Sequence, residues 1–153
     1  MTKELQEKLF NKYPKIFRQK DLSMMETCMC WGIDTDEGWF FLLDQLCNSI
    51  QSYIDLNEHL KIPQVEAVQV KEKFGALCFY TNGGDNRIDG MIQLAENMSY
   101  HICEKCGTTE NVGHTTGWIV TLCESCSNKE ERYKNSWVRG DKTSLRKFDI
   151  NKN

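Results

Sequence analysis

The chain has 153 residues, a formal net charge of −3, 40% apolar residues and 27% charged residues. These values are ordinary for a globular protein with one core, and the negative net charge argues against a protein whose whole surface binds polyanions. No apolar run approaches the ~18–20 residues of a membrane span, and the charged N-terminal segment lacks the pattern of a signal peptide. We therefore expect a cytoplasmic protein with no membrane association, whose eight cysteines stay reduced.

Two helices are predicted in the first part of the chain. Apolar residues recur at helical spacing over residues 3–13, and Pro14 ends this first helix. A wider apolar stripe over residues 37–58 predicts a longer helix at the centre of the core. An acidic cluster precedes this helix, and helix capping is the simplest explanation for its side chains. The cluster and the candidate caps are Asp34, Thr35, Asp36 and Glu37.

A hairpin and a third helix are predicted next. Residues 65–70 and 76–80 have the composition of strands, and the charged residues between them predict a solvated turn. Residues 82–84 predict a second turn because they combine an asparagine with two glycines. Asp85 is a suitable N-cap for an amphipathic helix that runs to about residue 100. The predicted fold class is therefore α+β, with amphipathic helices packed on a small antiparallel hairpin.

Two Cys-x2-Cys pairs, with sixteen residues between them, give the strongest signal in the chain. The short spacer lets one tight turn direct both sulfurs at the same ion, and four thiolates complete a tetrahedral zinc site. Because such a site leaves no position for water, it predicts structural rather than catalytic zinc. The order of knuckle, strand-like segment, knuckle and helix predicts a treble-clef-like module, with a zinc ribbon as the alternative. The predicted ligands are Cys103, Cys106, Cys123 and Cys126.

We predict three segments that together form one compact unit. An α+β core covers residues 1–100, a zinc module covers residues 101–137, and a polar tail covers residues 138–153. The zinc module includes a predicted helix over residues 127–137. The tail has little apolar surface to bury, so we expect it to be loosely held.

The sequence contains no motif of a serine hydrolase, P-loop, zinc protease or zinc deaminase. These missing motifs favour a binding protein over an enzyme, and the question of catalysis stays open. Cys28 and Cys30 are too closely spaced for a usual zinc knuckle. Packing explains them more simply than a second metal site, which is left open as an alternative.

Residues 70–87 permit a structural and a functional interpretation. A solvated turn, a glycine turn and a helix cap explain the segment without a ligand. Alternatively, the helix N-terminus could receive a phosphate, basic side chains could add positive charge, and aromatic rings could stack on a base. The acid at the helix start favours a sugar hydroxyl or a base edge at that point. The candidate ligand-binding residues are Trp39, Lys71, Lys73, Phe74, Tyr80, Asn82, Gly83, Gly84, Asp85 and Arg87.

Four motifs resemble those of a family of small proteins that is common in bacteriophage and prophage genomes. The motifs are GWFFLLDQLC, VKEKFGALCFYTNGGD, ICEKCG and GWIVTLCESC, and the resemblance covers residues 28–127. It implies a phage origin, a location in the host cytoplasm and the paired zinc ligands, but no established activity. The chain departs from the family at residues 34–38, where the family is richer in glycine.

The nucleotide-compatible segment and this resemblance together suggest a non-catalytic phage protein that binds a nucleotide-type signal and counters host defence. One alternative is a nucleic-acid-binding zinc module with basic residues along its last helix, although the chain is basic only at its ends. Another is an adaptor that binds a host defence protein through Trp118, Tyr133 or Trp137. The oligomeric state is left open, with a homo-oligomer as one option. The basic residues of the first alternative are Lys129, Arg132, Lys134, Arg139 and Lys142.

Overall fold

The computed structural model describes residues 1–140, which form helices and two small sheets. This architecture confirms the predicted α+β class. No helix in this range is both long and apolar enough to cross a membrane. In chain order the elements are α1 (Lys3–Lys12), β1 (Ile33–Asp34), α2 (Phe40–Leu56), β2 (Glu66–Lys73), β3 (Ala76–Asn82), α3 (Asn86–Ser99), β4 (Val112–Thr115), β5 (Thr121–Cys123), α4 (Glu124–Lys129), α5 (Glu131–Lys134) and β6 (Trp137–Arg139).

The central helix α2 is flanked by two single-turn 3-10 helices, Glu37–Trp39 and Glu58–Leu60. Its apolar stripe is buried, as the periodicity predicts. The capping explanation of the acidic cluster is wrong for Asp36, whose side chain accepts no backbone N–H of the first 3-10 turn. The Asp36 carboxylate instead lies 3.4 Å from the Lys105 ammonium, so it faces the cysteine-rich part of the chain.

The first sheet has the order β1-β2-β3, with β1 parallel to β2 and β2 antiparallel to β3. The predicted turn over the charged residues is wrong, because β2 continues through Lys73 and only Phe74 and Gly75 form the turn. Alternation explains the difference: Val70 is buried in the core, whereas Lys71 and Lys73 lie on the opposite face. Charged side chains are compatible with a strand when one face meets solvent.

Helix α3 covers the free edge of the first sheet. The Ser99 hydroxyl accepts the Leu77 N–H at 2.9 Å, and the Glu96 carboxylate accepts the Phe79 N–H at 3.0 Å. The partial burial of Glu96 raises the pKa of its carboxyl, against the opposing effect of the Phe79 hydrogen bond. These contacts occupy backbone donors of β3 that would otherwise be open to another strand.

The second sheet has the order β5-β4-β6, and all of its pairs are antiparallel. The predicted helix over residues 127–137 is wrong, because the chain breaks at Glu130 into the short helices α4 and α5. Glu130 has extended backbone angles, and Trp137 begins a strand that pairs with β4. The Trp137 indole N–H donates to the Leu122 carbonyl at 2.9 Å, which fixes this strand against the module. Residues 141–153 of the predicted tail lie outside the described residues.

Candidate functional site

The four predicted metal ligands converge at one point. Their sulfur atoms all lie within 4.8 Å of one another, and the sulfurs of Cys106 and Cys123 are 3.7 Å apart. Cys103 and Cys106 sit on one turn, closed by the Gly107 N–H that donates to the Cys103 carbonyl at 2.8 Å. Cys123 ends β5, and Cys126 lies in the first turn of α4. The order of knuckle, hairpin and helix agrees with the predicted treble-clef-like arrangement.

The sulfur geometry fits a tetrahedral metal ion. Thiolates about 2.3 Å from a tetrahedral zinc lie roughly 3.8 Å from one another, close to the 3.7 Å between Cys106 and Cys123. Only Cys106 is exposed, whereas the other three cysteines are buried. Four sulfur ligands leave no open position, so the group could hold a metal ion without activating water.

The thiols differ in their acidity before a metal binds. Desolvation raises the pKa of Cys103 and Cys126 above the usual value for a thiol. Desolvation acts in the same direction at Cys106, but the backbone hydrogen bond from Thr108 and contacts with the other thiols lower the pKa of that residue. Metal binding requires thiolates and therefore releases protons from this cluster.

Glu104 is a site residue that the sequence did not reveal, because it occupies a spacer position between two ligands. It is only 5% exposed, and burial raises the pKa of its carboxyl to about 7. Its Oε1 accepts the Asp36 N–H at 3.0 Å, and its backbone N–H donates to the Thr121 carbonyl at 3.0 Å. Its carbonyl accepts the Gly38 N–H at 2.7 Å. Glu104 thus joins the cysteine module to the turn before α2.

Two further contacts tie the cysteine module to the rest of the molecule. The indole N–H of Trp39 donates to the Ile102 carbonyl at 2.9 Å. The Thr121 hydroxyl donates to the Gly75 carbonyl at 2.6 Å, so the tip of the β2–β3 hairpin rests on β5. At Gly38 an added Cβ would lie 2.2 Å from the Cys103 carbonyl oxygen, which leaves no space for a side chain.

Four of the ten candidate ligand residues form one group at the β2–β3 hairpin. The Lys71 ammonium lies 5.8 Å from the ring centroid of Tyr80, and the Lys73 ammonium lies 5.6 Å from that of Phe74. Both rings are exposed. Neither lysine forms a salt bridge with any residue in the range 1–140. This group, defined by these four residues, is called the hairpin face below.

A second group lies at the start of α3. The predicted N-cap is confirmed, because the Asp85 carboxylate accepts the N–H groups of Arg87 and Ile88 at 3.0 and 3.1 Å. The same carboxylate accepts the Tyr53 hydroxyl at 2.9 Å. Desolvation acts to raise the pKa of Asp85, but these hydrogen bonds and the Arg87 charge lower it overall. With three donors in place, Asp85 is fully explained by helix capping.

The remaining candidates have packing roles or stand apart. At Gly83 an added Cβ would lie 2.2 Å from the Gln64 carbonyl oxygen, and at Gly84 it would meet the side chain of Val65, so protein fills the space beside these glycines. Asn82 ends β3 with an exposed side chain. Trp39 is fully buried, so neither face of its ring is open to a base. Arg87 is exposed and lies over the half-buried ring of Tyr53 at 5.8 Å. The structure therefore separates the ten candidates, and the hairpin face is the group that combines two lysines with two exposed rings.

Two basic residues of the alternative nucleic-acid site, Arg132 and Arg139, are engaged by neighbours. Glu130 pairs with the Arg132 guanidinium at 2.9 Å and with the Lys105 ammonium at 2.5 Å. Arg139 donates to the Asn111 side chain, and Lys142 lies outside the described range. Among the aromatic residues of the adaptor alternative, Tyr133 is buried, Trp137 is half-buried and Trp118 is exposed.

Among the described residues, Cys28 and Cys30 do not join a group placed to hold a metal ion. Cys30 contacts the Thr27 carbonyl through its sulfur at 3.2 Å, and Cys28 is exposed. Within residues 1–140, the four cysteines described above are the one group of three or more His, Cys, Asp or Glu side chains placed to hold a metal ion.

The fold and the site define an α+β protein with a four-cysteine cluster that could hold a metal ion. No known family model, curated protein or solved structure matches this chain. The arguments about function therefore depend on the geometry of the hairpin face and of the cysteine module.

Proposed function

We propose that this chain is a non-catalytic protein with structural zinc, and that its hairpin face binds a nucleotide-type ligand. The observation that carries this proposal is the pairing of two lysines without acidic partners with two exposed aromatic rings on one side of a hairpin. Ammonium groups attract phosphate, and aromatic rings stack on bases. The two kinds of group therefore match the two chemical parts of a nucleotide.

The backbone of Phe74 supports a role beyond folding. Its φ is +53° and that of Gly75 is +79°, the signs required for both central residues of a type I′ turn. Asparagine followed by glycine is the preferred pair for such a turn, and a bulky residue in this conformation is strained. The Phe74 ring is 65% exposed, so it does not recover this cost by burial in the core. A strained, exposed aromatic residue is consistent with selection for binding.

The zinc has a structural role in this proposal. A closed site of four sulfurs holds β5 and the first turn of α4 together, and β5 supports the hairpin tip through the hydrogen bond from Thr121 to Gly75. Zinc is favoured over other divalent ions because it prefers four thiolates in tetrahedral geometry. Metal analysis of the purified protein should find about one zinc per chain.

Ligand binding is tested directly with the zinc-loaded protein. Incubation with mononucleotides and cyclic dinucleotides, followed by heat denaturation, should release intact ligand and should be accompanied by a rise in melting temperature. Lys73→Gln should reduce retention, whereas Lys8→Gln is the control because Lys8 is exposed on α1, pairs with Glu4 and lies outside the hairpin face. Retention of no nucleotide, with no change in melting temperature, would reject binding.

For the biological role, we propose that the chain is encoded by a phage, sequesters a nucleotide signal of the host and so counters a defence system. The sequence resemblance to phage and prophage proteins and the chemistry of the hairpin face support this role. Expression in a bacterium with a nucleotide-signalling defence should restore plaque formation, and the double variant Lys71→Gln/Lys73→Gln should not. Equal plaque numbers with and without the protein, across several such defences, would contradict it.

A further inference from the structure

We infer that the hairpin face binds a single-stranded oligonucleotide of at least two nucleotides, with the bases stacked on Tyr80 and Phe74. This inference rests on the proposed function and specifies its ligand. The supporting observations are the separation of the two rings, the repetition of the lysine–ring pairs and an additional exposed ring beside the hairpin tip.

The two rings are too far apart to contact one base. Tyr80 and Ala76 are four residues apart on β3, which corresponds to about 13 Å at the usual rise of a strand. Phe74 lies farther still, in the turn beyond Ala76. A base stacked on Tyr80 therefore leaves the Phe74 ring free for another base.

The lysines repeat in the same direction as the rings. Lys71 lies beside Tyr80, and Lys73 lies beside Phe74, at nearly equal distances of 5.8 and 5.6 Å. Two positions along a strand separate their Cα atoms by about 7 Å, and both side chains lie on the same face. The face therefore presents a cation next to a ring at two places. A strand with alternating phosphates and bases can contact both places, and exposed sheet faces with aromatic residues bind single strands in this way.

An exposed tryptophan lies close to the Phe74 end of the hairpin face. The Gly75 position contacts Ile119, because an added Cβ would lie 3.1 Å from the Ile119 Cγ2. Phe74 directly precedes Gly75, and Trp118 directly precedes Ile119. Trp118 is 77% exposed, more than most large apolar side chains of the described residues.

The loop that carries Trp118 is held by a buried threonine. The Thr115 hydroxyl donates to the Trp118 carbonyl at 2.6 Å and accepts the Val120 N–H at 2.8 Å. The exposed indole is therefore attached to a fixed backbone next to the hairpin tip. It is suitably placed to stack on the base that follows the one on Phe74.

The charge favours a single strand over a duplex. Two lysines neutralise about two phosphates, and the chain carries a net charge of −3, whereas duplex binding depends mainly on a broad basic surface. Duplex bases are stacked on one another and are not available to protein rings. A short single strand needs only a few cations, and its bases are free to stack on protein rings.

Length dependence is the main test. Fluorescence anisotropy with the zinc-loaded protein should compare thymidine monophosphate, by competition, with labelled oligothymidylates of two, four and eight nucleotides and with a duplex of equal length. We expect the four-nucleotide probe to bind at least tenfold more tightly than the monophosphate, with little further gain at eight. For two phosphate contacts, the slope of log K against log salt concentration should be about −1.4, and Lys71→Gln should reduce it to about −0.7.

Variants at the rings test the stacking. Tyr80→Ala, Phe74→Asn and Trp118→Ala should each weaken binding of the four-nucleotide probe, by roughly five- to 150-fold for a lost base stack. Tyr80→Phe should retain binding because it keeps the ring. Phe41→Ala is the matched control, since Phe41 is 70% exposed on α2 and lies outside the hairpin face. Melting curves identify any variant that is unfolded.

The possible outcomes distinguish failure of the inference from failure of the proposed function. Monophosphate affinity equal to that of the four-nucleotide probe, with dependence on Lys71 and Tyr80, would overturn the inference and leave the proposed function intact. Duplex binding as tight as single-strand binding would also overturn the inference. If no nucleotide of any length binds, both proposals are wrong.

Discussion

The two hairpins of this protein are stabilised in different ways. The β2–β3 hairpin has long strands and a two-residue turn, and it buries Val70, Leu77 and Phe79 in the main core. The β4–β5 hairpin has only short strands, and its apolar cluster is small. That cluster includes three of the four clustered cysteines; its members are Cys103, Val120, Leu122, Cys123, Cys126 and Tyr133.

The difference indicates how stability is divided between apolar burial and metal binding. Burial of large apolar side chains stabilises the first hairpin without any ion. The second hairpin belongs to a small apolar cluster, so we expect a metal ion held by the four cysteines to supply much of its stabilisation. Thr121 of β5 is bonded to Gly75 at the tip of the first hairpin. Loss of metal should therefore also disturb the backbone around Phe74.

Removal of the metal should have the largest effect, because structural zinc contributes about 10–16 kcal/mol in zinc-finger peptides. We expect a strong chelator, or Cys123→Ser, to abolish amide protection over residues 103–139 while α2 and most of β2 and β3 stay protected. Hydrogen exchange read by mass spectrometry measures this. Cys28→Ser is the control, since Cys28 is exposed and lies outside the cluster. Unchanged amide protection of α4 in the metal-free protein would contradict the proposal that metal binding stabilises the second hairpin.

Gly38→Ala tests the contact between the turn before α2 and the cysteine module. The added Cβ would lie 2.2 Å from the Cys103 carbonyl oxygen, so backbone must move and the free energy of unfolding should fall by about 1–3 kcal/mol or more. Gly90→Ala is the matched control within α3, where nothing lies within 4 Å of the added atom. That control should instead gain about 0.5–1 kcal/mol. Urea unfolding measures both, and equal effects of the two variants would disprove this tight contact.

The stability of the helix cap at Asp85, which follows β3 at the end of the hairpin opposite its tip, should not depend on metal. Asp85→Ala removes the cap of α3 and should lower the melting temperature by roughly 2–4 °C, whereas Asp85→Asn should retain most of the stability. Because the folded-state pKa of Asp85 is lowered, its contribution is present above the usual carboxyl pKa and is lost as the pH falls through the folded value. Melting curves between neutral and acidic pH test this, and an Asp85→Ala effect that does not shrink in acid would count against the cap.

The tip of the first hairpin should give the smallest effect on stability. Phe74→Asn places a residue that tolerates positive φ in the turn, so the free energy of unfolding should rise by about 0.5–1 kcal/mol. The same variant should bind the four-nucleotide probe more weakly because the Phe74 ring is absent. A large loss of stability in urea unfolding would instead mean that the Phe74 ring is needed for packing.

The main elements could be predicted from local patterns in the sequence. Helical periodicity identified α2 and α3, and the Cys-x2-Cys spacing identified the four clustered cysteines. The predicted turn is misplaced because the charge of Lys71 and Lys73 suggests a loop, although their alternation with Val70 is equally compatible with a strand. For this segment, the charge of the side chains predicts the secondary structure less well than their alternation does.

The remaining errors concern contacts between distant parts of the chain. The break at Glu130 depends on β6 pairing with β4. The burial of Glu104 depends on Asp36, Gly38 and Thr121, which are far from it in sequence. The Trp39 indole donates to the Ile102 carbonyl, which is also far from it in sequence. No local pattern contains this information, because each of these environments is made by tertiary packing.

The most direct test of the central claim is an NMR titration of the zinc-loaded protein with a four-nucleotide oligothymidylate. We predict the largest amide shift changes at the hairpin face and at the adjoining loop, with little change in α1 or in α4. The residues concerned are Lys71, Lys73, Phe74, Tyr80 and Trp118. An absence of shift changes at high ligand concentration, or changes confined to α4 and α5, would contradict the account.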